Sequence, residues 1–435
     1  MKTLPKGSKK LLNAWAFYDW ANSVYPLVIS SSIFPLYYGF LFPKERDTID
    51  FSGLEFKATA LISFVTAFAF LTVAILSPIL SGIADFSGNK KRFLQFFCYL
   101  GAFSCIGMYW FTIDNLGFGI LCFYFGLIGF WGSLVFYNSY LPDISFKEQQ
   151  DSLSAKGYSM GYIGSVILLL LCLYFILSKE GKAALEMMQL SFALTGIWWL
   201  LFSQYTFYYL PKGNKNADKI TKDVFFNGYK ELRKVQKQLF ENIALKRYLI
   251  AFFIYSMAVQ TVMLVATYFG EQEINWKNDS EKTSGLIISI LVIQLVAIAG
   301  AIITSKASSK FGNIKTLLFV NAIWAIICVF AYFVTEPIHF YITAGFVGLV
   351  MGGIQALSRS TYSKFLPKTD DTTSFFSFYD VAEKIGIVIG MMIYGLIDQI
   401  TGSMRNSIVF LTLFFVGGFL LLLRVPQEKI FEEEL

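Results

Sequence analysis

The sequence is poor in charged residues, which make up only 15% of its 435 residues. A soluble domain usually carries about 25%. Hydrophobic residues account for 55% of the chain, and the charges lie in short segments between long uncharged stretches. This composition excludes a cytosolic enzyme, a disordered protein and a nucleic-acid binder, in spite of a net charge of +6. It predicts a helical protein that crosses a membrane several times.

Side chains suited to catalysis are also scarce. The one histidine, His339, lies beside Pro337 in a short predicted loop, which argues against a Ser/His/Asp triad or a histidine-rich metal site. The five cysteines fall inside apolar runs without metal-ligand spacing, so we interpret them as small buried residues. The sequence contains no G-x-x-x-x-G-K-[ST] nucleotide loop. We therefore expect neither an enzyme nor a metal site.

Twelve segments are long and apolar enough for a membrane span of about 20 residues. They form two sets of six: 12–38, 57–83, 93–112, 116–138, 157–178 and 190–210, then 248–269, 284–305, 316–334, 338–362, 374–397 and 406–424. Lysine and arginine concentrate in alternate loops and at the N-terminus, so both termini are predicted to be cytoplasmic. The first apolar run is expected to be a retained helix rather than a signal peptide.

The two halves resemble each other at a nearly constant offset. A Ser-to-Gly spacing of seven in 81–88 recurs in 305–312, an aromatic-Leu-Pro sequence in 140–142 recurs in 365–367, and Gly161 is matched by Gly386. A duplicated six-helix unit with parallel halves is the organisation of the major facilitator superfamily. The repeat predicts two pseudo-symmetric six-helix bundles, 1–210 and 248–435, joined by a linker over 211–247.

The linker has the pattern of an amphipathic helix. Apolar residues fall at helical spacing (Phe225, Tyr229, Leu232, Leu239 and Ile243), and basic residues occupy other positions around the helix. This pattern favours a helix lying on the cytoplasmic face of the membrane. A solvated tether with some helical bias is the alternative.

The segment SGIADFSGNKKR at 81–92 resembles the superfamily's loop motif G-x-L-A-D-R-x-G-R-K. Asp85, Gly88, Lys90 and Lys91 match its acid, its second glycine and its basic pair. The resemblance implies a gate at a moving cytoplasmic joint, and Asn138 near the end of the fourth span is a further gate or packing candidate. The motif differs at three positions (Ser81, Phe86 and Asn89), and an ordinary basic loop is the alternative.

A narrower resemblance runs along the whole chain. The matching segments are AWAFYDWANSVY (14–25), FYNSYLPDI (136–144), SAKGYSMGYIG (154–164), WWLLF (198–202), GGIQALSRSTY (352–362) and FFSFYD (375–380). They are similar to the vacuole-effluxer-like branch of the superfamily, which is related to a fungal vacuolar amino-acid exporter. The seventh span departs from that branch, because no Asn-Asp-Gly follows Tyr255. Asp380 and Glu383 add acids where relatives often have Asn and Gly.

Charged residues inside the spans are few, and each costs about 2.5–3.5 kcal/mol on insertion scales. They are Asp19, Arg359, Asp380, Glu383 and Lys384. At 1.5 Å per helical residue, these side chains and the amides Gln260 and Gln355 fall in the middle and the cytoplasmic half of the bilayer. The superfamily resemblance implies that Asp19, Gln260, Gln355 and Arg359 surround one central cavity.

Asp19 is the leading candidate for a functional acid. A buried carboxyl can accept a proton or contact a substrate amine. The alternative is a structural role in which Asp19 bonds Asn22 or a neighbouring backbone group.

Three further charges lie close together in the eleventh span. Asp380 and Lys384 are spaced i,i+4 and can neutralise each other, which would leave Glu383 as an unpaired acid and a second proton site. Arg359 in the tenth span has two alternative roles: it binds a substrate carboxylate, or it pairs with Asp380 or Glu383.

These features together predict a secondary transporter that works by alternating access. We expect coupling to protons, with no other cofactor, and efflux of an amino-acid-like solute across the cell (inner) membrane by a monomer without a nucleic-acid partner. A sugar or lipid transporter of the same fold is an alternative, and so is a non-transporting receptor or scaffold. A membrane-embedded enzyme would need a catalytic cluster that the sequence does not show.

Overall fold

Helices make up almost all of the part of the chain that the computed structural model describes, which is residues 4–42, 48–51, 54–212 and 224–426. The first elements are α1 (Lys9–Asn22), a π-helical segment (Tyr25–Ile33), α2 (Phe34–Leu41), β1 (Thr48–Phe51), β2 (Leu54–Lys57), α3 (Ala58–Ser87), α4 (Lys90–Gly107), a 3-10 turn (Met108–Trp110), α5 (Leu116–Ile144), α6 (Lys147–Leu177) and α7 (Gly181–Tyr209). The later elements are α8 (Val224–Glu241), α9 (Ile243–Glu273), α10 (Asp279–Phe311), α11 (Asn313–Ala331), α12 (Pro337–Phe365), α13 (Thr372–Thr401) and α14 (Met404–Leu422).

Eleven helical segments in the described ranges are long and apolar enough to cross a membrane. The first of them runs from Lys9 to Leu41 and includes α1, the π-helical segment and α2. The remaining predicted span, 374–397, lies within α13, a helix of 30 residues. The prediction of an all-α membrane protein is confirmed, and eleven of the twelve predicted spans correspond to these segments. The short antiparallel hairpin β1–β2 is a small addition.

The spanning helices have the surface pattern expected for lipid contact. On α3, large apolar side chains spaced three or four residues apart are exposed (Phe64, Phe68, Leu71 and Ile75), whereas small residues such as Ala69 and Ser77 are buried. In a bilayer core only helices and closed barrels satisfy every backbone hydrogen bond. Small residues then let helices approach each other closely, so large apolar residues are left to face the lipid.

Contacts divide the chain into two compact units. The first unit comprises Met1–Tyr140 and Met160–Leu232, and the second comprises Leu141–Ser159 and Arg233–Leu435. In the first unit α7 packs against both α1 and α4. In the second unit α9 packs against α13 and α14, and α10 packs against α12.

The sequence repeat recurs in the geometry of two helix ends. α3 ends at Gly88, with φ of 62°, and α10 ends at Gly312, with φ of 86°. These are backbone conformations that glycine adopts without the steric cost that a Cβ would bring. Gly88 therefore permits a tight chain reversal after α3, and a second glycine with positive φ follows α10 224 residues later, with ψ of 156° in place of 23°.

The described part of the linker contains α8, which is amphipathic. Val235 and Leu239 are buried, whereas Tyr229 and Phe240 are exposed. The Asn242 side chain caps α9 by accepting a hydrogen bond from the Leu245 N–H. Residues 213–223 of the predicted linker lie outside the described ranges.

Candidate functional site

The second unit contains a narrow polar cavity between α9, α12 and α13, with Tyr158 of α6 at its edge. Aromatic rings and polar side chains share the lining: Tyr158, Phe252, Tyr255 and Tyr379, with Gln260, Gln355 and Glu383. The cavity volume is about 20 Å³, which is room for about one water molecule. A bound solute would therefore require these side chains to move.

The lining residues come from single helix faces. On α9, Phe252, Tyr255, Val259 and Gln260 are separated by three, four and one residues, which keeps them on one side of the helix. On α13, Tyr379 and Glu383 are spaced i,i+4. The helical period of the sequence thus determines which residues share a face, and packing brings those faces together.

Glu383 is the acid in the cavity wall. The Gln260 amide Nε2 donates to Glu383 Oε1 at 2.7 Å, and Lys384 Nζ lies 3.2 Å from Oε2. Lys384 Nζ also lies 2.6 Å from Asp380 Oδ1, so the predicted Asp380–Lys384 pair is confirmed. The prediction that Glu383 would be left without a partner is wrong, because the same lysine ammonium reaches both carboxylates.

This arrangement directs negative charge towards the cavity. The Lys384 side chain is 1% exposed and that of Glu383 is 17% exposed. A buried ammonium is tolerated only when nearby anions compensate it. Two carboxylates share the Lys384 charge, and the more exposed of them is Glu383. When all three groups are ionised, the excess negative charge therefore faces the cavity.

Hydroxyl groups and stacked rings hold the cavity walls together. Tyr248 Oη donates to the Ser358 carbonyl at 2.9 Å, and Tyr255 Oη lies 2.7 Å from Ser358 Oγ, which ties α9 to α12. The rings of Phe252 and Tyr379 stack at 4.1 Å, which ties α9 to α13. The sequence pattern alone did not mark these aromatic residues as part of the site, although their helical spacing places them on shared helix faces.

The amides of α9 and α12 contribute differently. Gln260 is bound to Glu383, whereas Gln355 Nε2 donates to the thioether sulfur of Met263 at 3.4 Å. A thioether is a weak acceptor. The structure thus brings Gln260, Gln355 and Glu383 together in one cavity wall.

Arg359 lies on α12 one turn from Gln355 and contacts α6. Its Nε donates to Ser154 Oγ at 2.9 Å, its Nη2 donates to the Ser154 carbonyl at 3.0 Å, and its guanidinium stacks on the Tyr158 ring at 4.3 Å. These contacts support the cavity edge formed by Tyr158. Sequence analysis did not predict this role, although both α6 residues lie in the segment SAKGYSMGYIG. Binding of a substrate carboxylate by Arg359 stays a prediction.

The first unit places Asp19 beside a tyrosine of α5. Tyr137 Oη donates to Asp19 Oδ2 at 2.9 Å, and Asp19 is 4% exposed. The Trp15 indole N–H donates to the Tyr137 carbonyl at 2.9 Å, and the two rings stack at 4.5 Å. Asn22 accepts a hydrogen bond from the neighbouring Ser23. Tyr137 was missed in the sequence, although the segment FYNSYLPDI contains it.

The loop motif of the first unit contacts the ends of other helices. Lys90 Nζ donates to the Ser139 carbonyl of α5 at 3.3 Å, and Lys91 Nζ donates to the Leu210 carbonyl after α7 at 2.7 Å. Leu210 directly follows α7, and a cation is favourable at such a helix C-terminus, where carbonyl groups lack helical partners. Asp85 lies in the last turn of α3 before Gly88, and Asn138 is partly buried on α5. The gate role of these residues stays a prediction.

Comparison with known proteins gives one consistent family. Residues 7–434 match the model of the family described as "Vacuole effluxer Atg22 like". The uncharacterised MFS-type transporter YxiO of Bacillus subtilis is 32% identical over 428 residues, which cover 96% of this chain and 95% of the relative. Autophagy-related protein 22 of Saccharomyces cerevisiae is 26% identical over 86% of this chain and 78% of the relative.

Solved structures support the same fold. A proton:xylose symporter, XylE, aligns with a TM-score of 0.71 at 14% identity over 96% of each chain. The Escherichia coli fucose:proton symporter, FucP, aligns with a TM-score of 0.67 at 16% identity over 96% of this chain and 98% of its own. These proteins are transporters rather than enzymes. The chain is thus a multi-pass membrane transporter of the major facilitator type, and it belongs to the vacuole effluxer Atg22-like family.

Proposed function

We propose that this transporter exports a small solute bearing an ammonium group, such as an amino acid, across the cell membrane in exchange for protons. It would work as a monomer with both termini in the cytoplasm. The observation that carries the proposal is the position of Glu383, whose carboxylate forms part of the wall of a cavity otherwise made of aromatic rings and amides.

The chemistry of the cavity suits a cationic amine. A solute ammonium can pair with Glu383 among the aromatic side chains of the cavity wall, which attract cations. Gln355 offers an amide for a polar group of the same solute. The carboxylate of a zwitterionic solute needs a positive donor, and Arg359, one turn along α12, is the candidate.

Asp19 is the proposed proton site. The Tyr137 phenol that donates to Asp19 is neutral, so protonation of Asp19 would leave no cation without a counter-ion at that contact. Glu383 differs, because its protonation would weaken the compensation of Lys384. Coupling to protons is compatible with this fold, since two of the structural relatives are proton symporters. The efflux direction is suggested by the name of the family.

A sugar is the second candidate solute. The stacked rings of Phe252 and Tyr379 and the amides of Gln260 and Gln355 would suit the apolar and hydroxyl faces of a sugar. One structural relative transports xylose. The two candidates differ in their need for charge, because a neutral sugar requires no carboxylate counter-ion.

Transport by the purified protein in lipid vesicles tests the proposal. Labelled amino acids, sugars and lysolipids are offered with and without a pH gradient. We expect amino-acid transport that a pH gradient drives and that a protonophore abolishes. Transport of sugars or lysolipids without amino acids would refute the proposed solute class.

The variant Asp19→Asn tests the coupling. We expect it to lose accumulation driven by the pH gradient while it retains exchange of labelled for unlabelled solute. Asp114→Asn is the matched control, because Asp114 is an exposed loop acid of the same unit. Unchanged proton-driven accumulation in Asp19→Asn would exclude Asp19 as the proton site.

A further inference from the structure

One face of the C-terminal half of α8 is buried. Val235 and Leu239 are buried, at 0% and 4% exposed. Beside them Lys234 Nζ lies 2.8 Å from Asp371 Oδ2, just before α13. The helix therefore has a defined orientation, and the remaining faces of its C-terminal half are presented away from the protein.

The outward face of α8 combines cations with an apolar ring. Arg233, Lys237 and Phe240 are spaced i, i+4 and i+7, which places them on one stripe, and all three are exposed. Lys246, from the first turn of α9, holds its Nζ 5.4 Å from the centre of the Phe240 ring. Lys237 also forms a loose pair with Glu241 at 3.8 Å, in which both side chains are more than half exposed. Three cations against one acid leave the stripe positive.

The position of this stripe follows from the chain. A single residue, Asn242, separates α8 from α9, and α9 is one of the membrane-spanning helices. The C-terminal end of α8 therefore lies at the level of the lipid headgroups. Ile243, the first residue of α9, is 60% exposed beside Phe240, which is 55% exposed. Exposed apolar side chains flanked by cations at that level match the border between acyl chains and headgroups.

We propose that Arg233, Lys237, Phe240 and Lys246 form a binding site for the headgroup of an anionic phospholipid. The phosphate pairs with the three cations, and the Phe240 ring lies against the upper part of the acyl chains. The Lys/Arg distribution places α8 on the cytoplasmic side, where the leaflet carries anionic lipids that attract basic segments next to a span. The site is separate from the solute cavity and does not depend on the solute that the protein transports.

Native mass spectrometry of the purified full-length protein tests this site. The protein is equilibrated with equal amounts of phosphatidylglycerol and phosphatidylcholine, and the retained lipids are counted. We expect the native protein to retain phosphatidylglycerol preferentially. Each cation removed should weaken that retention about five-fold, and added salt should reduce it further. Retention of phosphatidylcholine should stay unchanged.

The variants are R233Q/K237Q/K246Q and the single K237Q, with K306Q/K310Q as the control. Lys306 and Lys310 are exposed cations at the end of α10, on the same predicted side of the membrane. The triple variant should lose the preference for phosphatidylglycerol, K237Q should lose about five-fold, and the control should keep it. The single variant decides the matter if the triple variant does not fold.

Three results would overturn the proposal. The first is an unchanged preference for phosphatidylglycerol in the triple variant, or in K237Q if the triple variant does not fold. The second is an equal loss of the preference in the control pair. The third is displacement of the lipid by inorganic phosphate alone, because it would indicate a bare phosphate site in which Phe240 takes no part.

Discussion

The two units hold their buried acids in different ways. In the first unit the phenol of Tyr137 donates to Asp19. In the second unit Glu383 accepts from an amide and shares the ammonium of Lys384 with Asp380. A carboxylate that accepts from a neutral donor can gain a proton without leaving a cation unpaired at that contact. When a carboxylate compensates a buried ammonium, protonation removes the counter-ion of that ammonium. For this reason we propose proton exchange for the first unit and solute recognition for the second.

Removal of the shared cation should have the largest effect. In Lys384→Met the carboxylates of Asp380 and Glu383 lose their buried counter-ion. Breaking a buried ion pair costs about 3–5 kcal/mol of unfolding free energy. We expect a correspondingly large loss of stability in detergent, measured by denaturant or thermal unfolding.

Two further variants check the cause of that loss. Adding Asp380→Asn to Lys384→Met removes one of the stranded charges, so it should restore part of the stability. Lys179→Met is the control, because Lys179 is exposed. A loss in Lys384→Met no greater than in this control would show that Lys384 is not needed to compensate the two acids.

Removal of the Glu383 charge from the cavity wall should have the next largest effect. Glu383→Gln keeps the shape of the side chain but removes the counter-ion for a solute ammonium. A hydrogen bond to a charged group contributes about 1.5–3 kcal/mol, so transport of the amine-bearing solute should fall at least about ten-fold. The remaining transport should still respond to a pH gradient. Initial rates in vesicles measure both effects.

The control for this variant is Glu336→Gln, which changes an exposed acid before α12. Equal transport by Glu383→Gln and the native protein would show that the Glu383 carboxylate does not recognise the solute. If Glu383→Gln lost only its response to the pH gradient, Glu383 would be the proton site, and the proposed roles of the two units would be reversed.

Contacts within one helix could be predicted from the sequence, and contacts between helices could not. The Asp380–Lys384 pair follows from i,i+4 spacing, and the turn at Gly88 follows from the loop motif. The bond from Gln260 to Glu383 joins residues 123 positions apart, and that from Tyr137 to Asp19 joins residues 118 positions apart. Such pairs depend on how each helix is rotated about its axis, which is determined by packing and leaves no local pattern in the sequence.

The two glycines that mark the repeat offer a smaller test of the comparison. An alanine Cβ at Gly161 would collide with the Ser23 side chain and lie 3.1 Å from the Asp19 carbonyl oxygen. At Gly386 the nearest atoms are 3.6–3.7 Å away, which is ordinary contact. Gly161→Ala should therefore lose about 1–3 kcal/mol, whereas Gly386→Ala should be neutral or gain up to about 1 kcal/mol from helix propensity. Thermal unfolding of both variants in one detergent measures the difference, and equal shifts would contradict it.

The smallest expected effect is that of Tyr137→Phe. The change removes the donor to Asp19 but keeps the ring that stacks on Trp15. One such hydrogen bond contributes about 0.5–1.5 kcal/mol, so accumulation driven by a pH gradient should fall about two- to ten-fold, with solute exchange preserved. Tyr174→Phe, at an exposed tyrosine of α6, is the control. If Tyr137→Phe instead weakened solute affinity, as Glu383→Gln is expected to do, Asp19 would take part in solute recognition. Proton exchange and solute recognition would then not be separated between the two units.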